Sequence, residues 1–137
     1  LIDFGLAGRC APSERLAGRA GTVAYSAPEA LKASSFGRPA DVWALGAIFF
    51  LLLTGEPLIK VDEPLNPSEE MRRVLQGQEA RRVLDPSYIR LRVQSVAARL
   101  PPGVGELLSD MLRQDPARRI TIEEALQHPF LAAGSPA

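Results

Sequence analysis

The longest apolar stretch of the chain, Val42 through Leu53, carries no charged side chain and predicts a helix buried on all sides. It is well short of the ~20 residues a membrane helix needs, so no membrane span is expected. Asp41 sets a carboxylate at its start, beside exposed N–H groups and the positive dipole end, and Thr54-Gly55 closes it. Val104, Leu107, Leu108, Met111 and Leu112 recur at i, i+3, i+4, i+7 and i+8, one stripe on an amphipathic helix. Thr121 with Glu124 forms a capping box for a last short helix through Leu126, stopped by His128-Pro129. Asn66 as N-cap, Pro67 at the first helical position and Glu69 after it predict another helix, with Met71, Val74 and Leu75 inward and Gly77 as terminator. Ala27 to Lys32 forms a short helix with Pro28 in its first turn. Asp3 to Ser26 has no sustained apolar period and reads as a long surface loop. Pro86 and Pro101-Pro102-Gly103 interrupt the Arg-rich stretch between Gln78 and Gly103, which receives no assignment.

Composition narrows the class. The 137 residues are 46% apolar and 23% charged, close to the globular average, and a compact chain of this length buries roughly two-thirds of its unfolded surface. Lys+Arg 16 balance Asp+Glu 16, so there is no electrostatic footprint for nucleic acid. The lone Cys10 excludes an internal disulfide framework and a multi-cysteine zinc site, and suits a reducing, cytoplasmic compartment. The opening Leu1-Ile2-Asp3, without initiator methionine or secretory leader, reads as a cut through a longer protein.

Short motifs then occur in a fixed order: Asp3-Phe4-Gly5, Ala27-Pro28-Glu29, Asp41-Val42-Trp43-Ala44-Leu45-Gly46, Asp115 through Thr121, and His128-Pro129-Phe130. Any one could arise by accident, but together the set resembles the C-terminal half of a eukaryotic serine/threonine protein kinase domain, from Leu1 to about Leu131. The resemblance implies a mainly α fold, the helical C-terminal lobe of a kinase without its N-terminal ATP lobe. It divides the chain into an activation segment, residues 3–29, a helical lobe, 30–131, and a tail, 132–137, expected to fray. The blocks around Arg119-Ile120-Thr121 and Glu124-Ala125-Leu126 resemble the calcium/calmodulin-dependent group. The implied activity is transfer of the ATP γ-phosphate to Ser/Thr hydroxyls of a protein substrate, with Mg²⁺ as cofactor. No Gly-rich loop, strand lysine or His-Arg-Asp loop occurs in these residues, so the chain alone is expected to be inactive and to need the N-terminal lobe of the same polypeptide. The competing reading is a pseudokinase or truncated product serving as a binding module.

By the same resemblance, Asp3 holds magnesium, Phe4 packs beneath the active site, and Gly5 lets the backbone flip. Thr22, in Gly21 through Glu29, orients the acceptor hydroxyl in the substrate-docking loop, and Ser26 stands where the family often has an aliphatic residue. Glu29 pairs with Arg119 in a buried ion pair, and Asp41 anchors the catalytic loop. Residue chemistry alone leaves other roles open: a solvated turn for Asp3, a loop cap for Thr22, two unrelated surface charges for Glu29 and Arg119, a helix-start carboxylate for Asp41. Trp43 and Gly46 read as core packing, Gly46 permitting close approach of another segment. Ser13, among Arg9, Arg15 and Arg19, is a candidate phosphosite whose phosphate would order the loop through arginine pairing, against an ordinary exposed serine. Cys10 reads as an inert thiol, and His128 as structural.

Overall fold

The computed structural model describes residues 2–17, 21–33 and 35–133. Seven helices account for most of them: α1 (Pro28–Ala33), α2 (Arg38–Thr54), α3 (Glu69–Val83), α4 (Pro86–Ala97), α5 (Val104–Met111), α6 (Ile122–Leu126) and α7 (Pro129–Ala132). A 3-10 turn, Val23–Tyr25, precedes α1, and two short strands, β1 (Leu16–Ala17) and β2 (Ser35–Phe36), pair antiparallel with Leu16 opposite Phe36. The fold is mainly α, as the sequence pattern implies.

α2 is the axis of the core. It begins at Arg38, with Gly37 at the cap and Pro39 in its first turn, and ends at Gly55, whose φ of 74° is the left-handed conformation that glycine adopts without a Cβ clash. Trp43, Ala47 and Phe50 pack with Leu58 and Ile59, with Val83, with Ile89, Val93 and Val96 of α4, and with Val104, Leu108 and Leu112. On another side, Val42 meets Leu107, Met111 and Ala125. A Cβ on Gly46 would lie 3.0 Å from that of Met111 and 3.1 Å from Leu112 Cδ2, so this glycine sets how closely α2 and α5 approach.

Four expectations change. The apolar run is not buried all round: Leu45, Ile48 and Leu52 are 43%, 42% and 77% exposed, because no described element packs on that side of α2. α3 is capped by Ser68, whose hydroxyl accepts the Met71 N–H, and not by Asn66. It runs straight through Gly77, and of its three expected inward residues only Leu75 is buried, Met71 and Val74 being exposed. Its surface is polar nearly all round, so tertiary support at Leu75 and Val83 fixes it in place of a continuous stripe. Finally, the unassigned stretch contains α4: Pro86 does not break a helix but opens one, after Asp85, whose carboxylate accepts the Ser87 N–H at 2.9 Å.

α4 is tied to the loop after α2 by Arg92. Its Nη2 donates to Pro57 O at 2.7 Å, its Nε to Leu58 O at 3.1 Å, and its guanidinium lies over the Phe50 ring. Among the described residues no helix is long and apolar enough to cross a membrane.

Candidate active-site and docking-loop residues

The sequence puts Glu29 in the first turn of α1 and Arg119 in the loop between α5 and α6, 90 residues away. Arg119 Nη1 donates to Glu29 Oε1 at 2.8 Å and Nη2 to Oε2 at 2.9 Å, a two-pronged charge-assisted contact. The Arg119 side chain is 0% exposed and that of Glu29 8%. A guanidinium has five donors, and burying it requires partners for them. Arg119 Nη1 also donates to Pro39 O at 2.7 Å and Nε to Arg113 O at 3.0 Å, while the Trp43 ring lies beneath the guanidinium at 5.2 Å. These are not unrelated surface charges. The supporting carbonyls and the Trp43 platform could not be read from sequence, since a main-chain acceptor has no residue signature.

The pair holds the helix into which the 3-10 turn leads. At its head, Thr22 is extended, with φ −83° and ψ 132°, and its hydroxyl makes no capping bond. Its carbonyl is occupied instead, accepting the Tyr25 N–H at 3.1 Å and the Ser26 hydroxyl at 3.0 Å. The loop-cap role therefore falls to Thr22 O and Ser26 Oγ, which also shows what a serine does where an aliphatic residue is commoner. Asp41 is exposed in the first turn of α2, its carboxylate making no hydrogen bond with another described residue. Thr22 and Asp41 line one depression of about 220 Å³, walled by Leu6, Tyr25, Phe36 and Ala44. The structure thus brings together a hydroxyl and a carboxylate with no side-chain hydrogen bond to another described residue, beside the segment that follows Asp3-Phe4-Gly5.

Asp3 is exposed, outside that depression, with a φ of 65° that side-chain-bearing residues seldom adopt. Phe4, expected beneath the active site, is instead 66% exposed, in a segment that turns where Ala7 N–H donates to Phe4 O. Among the described residues no group of three or more Asp, Glu, His or Cys could hold a metal ion. Asp3 offers one exposed carboxylate, a donor of the type a hard cation takes one or two of while keeping several waters.

Ser13 is exposed in a turn where Glu14 N–H donates to Ala11 O and the Glu14 carboxylate accepts Ala11 N–H at 2.8 Å. Arg9 and Arg15 are exposed, and Arg19 lies outside the described residues. The Cys10 thiol donates to Glu14 O at 2.9 Å. His128 caps α7, Nδ1 accepting the Phe130 N–H, a structural placement. The β1–β2 pairing, with Gly37 letting Glu14 O within 3.0 Å of where a Cβ would sit, ties this loop to the start of α2 and had no sequence signal.

Comparison with known proteins extends the picture. A family model described as "Protein kinase domain" matches residues 1–131. The chain is 34% identical over 137 residues to an SNF-related serine/threonine-protein kinase of Rattus norvegicus, covering 99% of this chain and 16% of the relative. It is 30% identical over 145 residues to mitogen-activated protein kinase 5 of Oryza sativa subsp. indica, covering 96% of this chain and 39% of the relative. It is 32% identical over 132 residues to serine/threonine-protein kinase PLK4 of Drosophila persimilis, covering 96% and 15%. The chain therefore spans well under half the length of each of these relatives.

Proposed function

Since the chain belongs to the protein kinase family, we propose that it is the activation segment and helical lobe of a serine/threonine kinase, whose parent transfers the ATP γ-phosphate to protein Ser or Thr hydroxyls. The observation that carries this reading is the shared depression in which the Thr22 hydroxyl and the Asp41 carboxylate stand without a partner among the described residues, beside a docking loop held by Glu29 and Arg119. Phosphoryl transfer demands positioning more than covalent chemistry from the protein, and rigid placement of an acceptor-orienting hydroxyl is such a contribution. Asp41, at the positive end of α2, has an acceptor free for the backbone N–H groups of a catalytic loop. Asp3 is the carboxylate for Mg²⁺, which when bound with ATP neutralises phosphate charge. Phosphorylation of Ser13 belongs to the same proposal: the added charge recruits Arg9 and Arg15 and orders residues 9–15. The 137 residues alone, lacking a His-Arg-Asp loop, do not transfer phosphate.

The test is a steady-state assay of the parent polypeptide with ATP, Mg²⁺ and a Ser/Thr peptide. Thr22→Ala lowers kcat by roughly a hundredfold, in line with the cost of misplacing a reacting group. Unchanged turnover in Thr22→Ala refutes the assigned role. A parent inactive in its wild-type form favours the binding-module reading.

A further inference from the structure

α4 and α5 run antiparallel: Ala97 near the end of α4 meets the start of α5, where a Cβ on Gly105 would come within 3.3 Å of the Ala97 Cβ. On their outer side lie two adjoining depressions of about 570 and 500 Å³, which share Val93, Gln94 and Ser109 and so form one continuous groove. Its floor is aliphatic, from Ile89 and Val93, and its ends are opposite in charge. Glu106 stands at the Gly105 end and Arg90 at the other, both exposed and neither paired with another described residue. The remaining charges of the groove are already compensated, Arg113 by Asp110 and Arg118 by Asp115. Midway, the exposed Gln94 amide is also without a partner among the described residues, a donor and an acceptor suited to a passing main chain.

We infer that this groove binds an extended peptide segment of another protein, carrying one acidic and one basic residue three positions apart with an aliphatic side chain between them. The spacing follows from geometry. Arg90 lies seven positions before Ala97 on α4, about 10 Å along the helix axis, and an extended chain advances ~3.3 Å per residue, so about three residues span the two charges. Charge complementarity selects this occupant: the acidic residue faces Arg90, the basic one Glu106, the aliphatic side chain covers Val93, and Gln94 meets the backbone. The groove lies outside the Thr22–Asp41 depression, so the inference is independent of the catalytic reading.

The experiment uses fluorescein-labelled peptides with the cores Glu-Ala-Leu-Lys, Lys-Ala-Leu-Glu and Gln-Ala-Leu-Gln, titrated with the purified parent polypeptide and followed by anisotropy. One of the two charged peptides is expected to bind about tenfold more tightly than the neutral one, the contribution of two partly exposed ion pairs, and to lose that advantage at high salt. The double substitution Arg90→Glu with Glu106→Lys, at exposed positions that leave the melting profile intact, transfers the preference to the other charged peptide. Gln94→Ala weakens both without altering the preference. The inference is overturned if no peptide binds up to millimolar concentration, if the neutral peptide binds as well as the charged ones, or if the charge exchange leaves the preference unmoved.

Discussion

Replacing Arg119 with alanine removes both prongs of the contact to Glu29, the bonds to Pro39 O and Arg113 O, and the cation above Trp43. What remains is a carboxylate with 8% side-chain exposure and no counter-charge. Stranding one partner of a buried pair costs about 3–5 kcal/mol. At this chain length that corresponds to a fall of roughly 10–15 °C in Tm, and against a total stability of 5–15 kcal/mol it is a large fraction. Glu29→Gln is milder, about 2 kcal/mol, because Arg119 keeps its carbonyl acceptors and an uncharged partner of the same shape. The double substitution Glu29→Leu with Arg119→Met removes both charges together and should cost clearly less than the sum of the two single changes. Equilibrium unfolding in urea, arranged as a double-mutant cycle, measures all of these. A loss below about 1 kcal/mol in Arg119→Ala, or single effects that add to within ~0.5 kcal/mol, refutes the reasoning.

Three further outcomes follow from local geometry. Gly46→Ala forces a methyl against Met111 and Leu112; overpacking of about 1–3 kcal/mol outweighs the alanine's better helix propensity, and urea unfolding should show a net loss. Thr121→Ala removes a helix cap worth about 1 kcal/mol. Hydrogen bonds from the Thr121 backbone, then from its side chain, hold Glu124 below the ordinary glutamate value of 4.5, so the carboxylate's share is present above that pH and fades as pH falls through the lowered value; the backbone bond survives in Thr121→Ala and the Glu124 N–H to Thr121 Oγ cap does not titrate, so the gap between wild type and variant should narrow in acid without closing. Glu79 is shifted the other way, raised above 4.5 by burial and then by the Glu63 charge, so its stabilising effect is complete below that pH and is lost as pH rises through the raised value. Glu79→Gln should accordingly raise the urea midpoint at neutral pH and leave it unchanged near pH 4, and equal curves at both would count against the charge repulsion.

The parts legible in the sequence are those whose signal is local. Thr121 and Glu124 form the capping box their spacing implies, and the stripe of α5 buries Val104, Leu107, Leu108 and Met111. Where two readings compete locally, the neighbourhood decides. Asn66 and Ser68 are both good caps, and Ser68 takes the helix. Pro86 reads as a breaker or as a first helical residue, and Asp85 before it makes it the latter. Exposure is harder still. Leu45, Ile48 and Leu52 belong to a charge-free run, yet they face outward, since burial depends on what packs there and not on composition. At the site, Glu29 and Arg119 were placed together only by resemblance, and nothing local could reveal a contact closing over 90 residues.

The charge-free run has a consequence for how the chain behaves outside its folded state. From Val42 to Thr54 there is neither a charge nor a proline, and the segment is rich in Leu and Phe, an apolar, uncharged composition that associates readily with copies of itself once extended. In the native helix its backbone groups are engaged, but unfolding exposes the whole stretch. Association of unfolded chains then competes with refolding, and heat denaturation becomes irreversible. An apparent Tm would therefore shift with scan rate and protein concentration. The practical durability of this chain is governed by how seldom α2 opens, a rate more than an equilibrium.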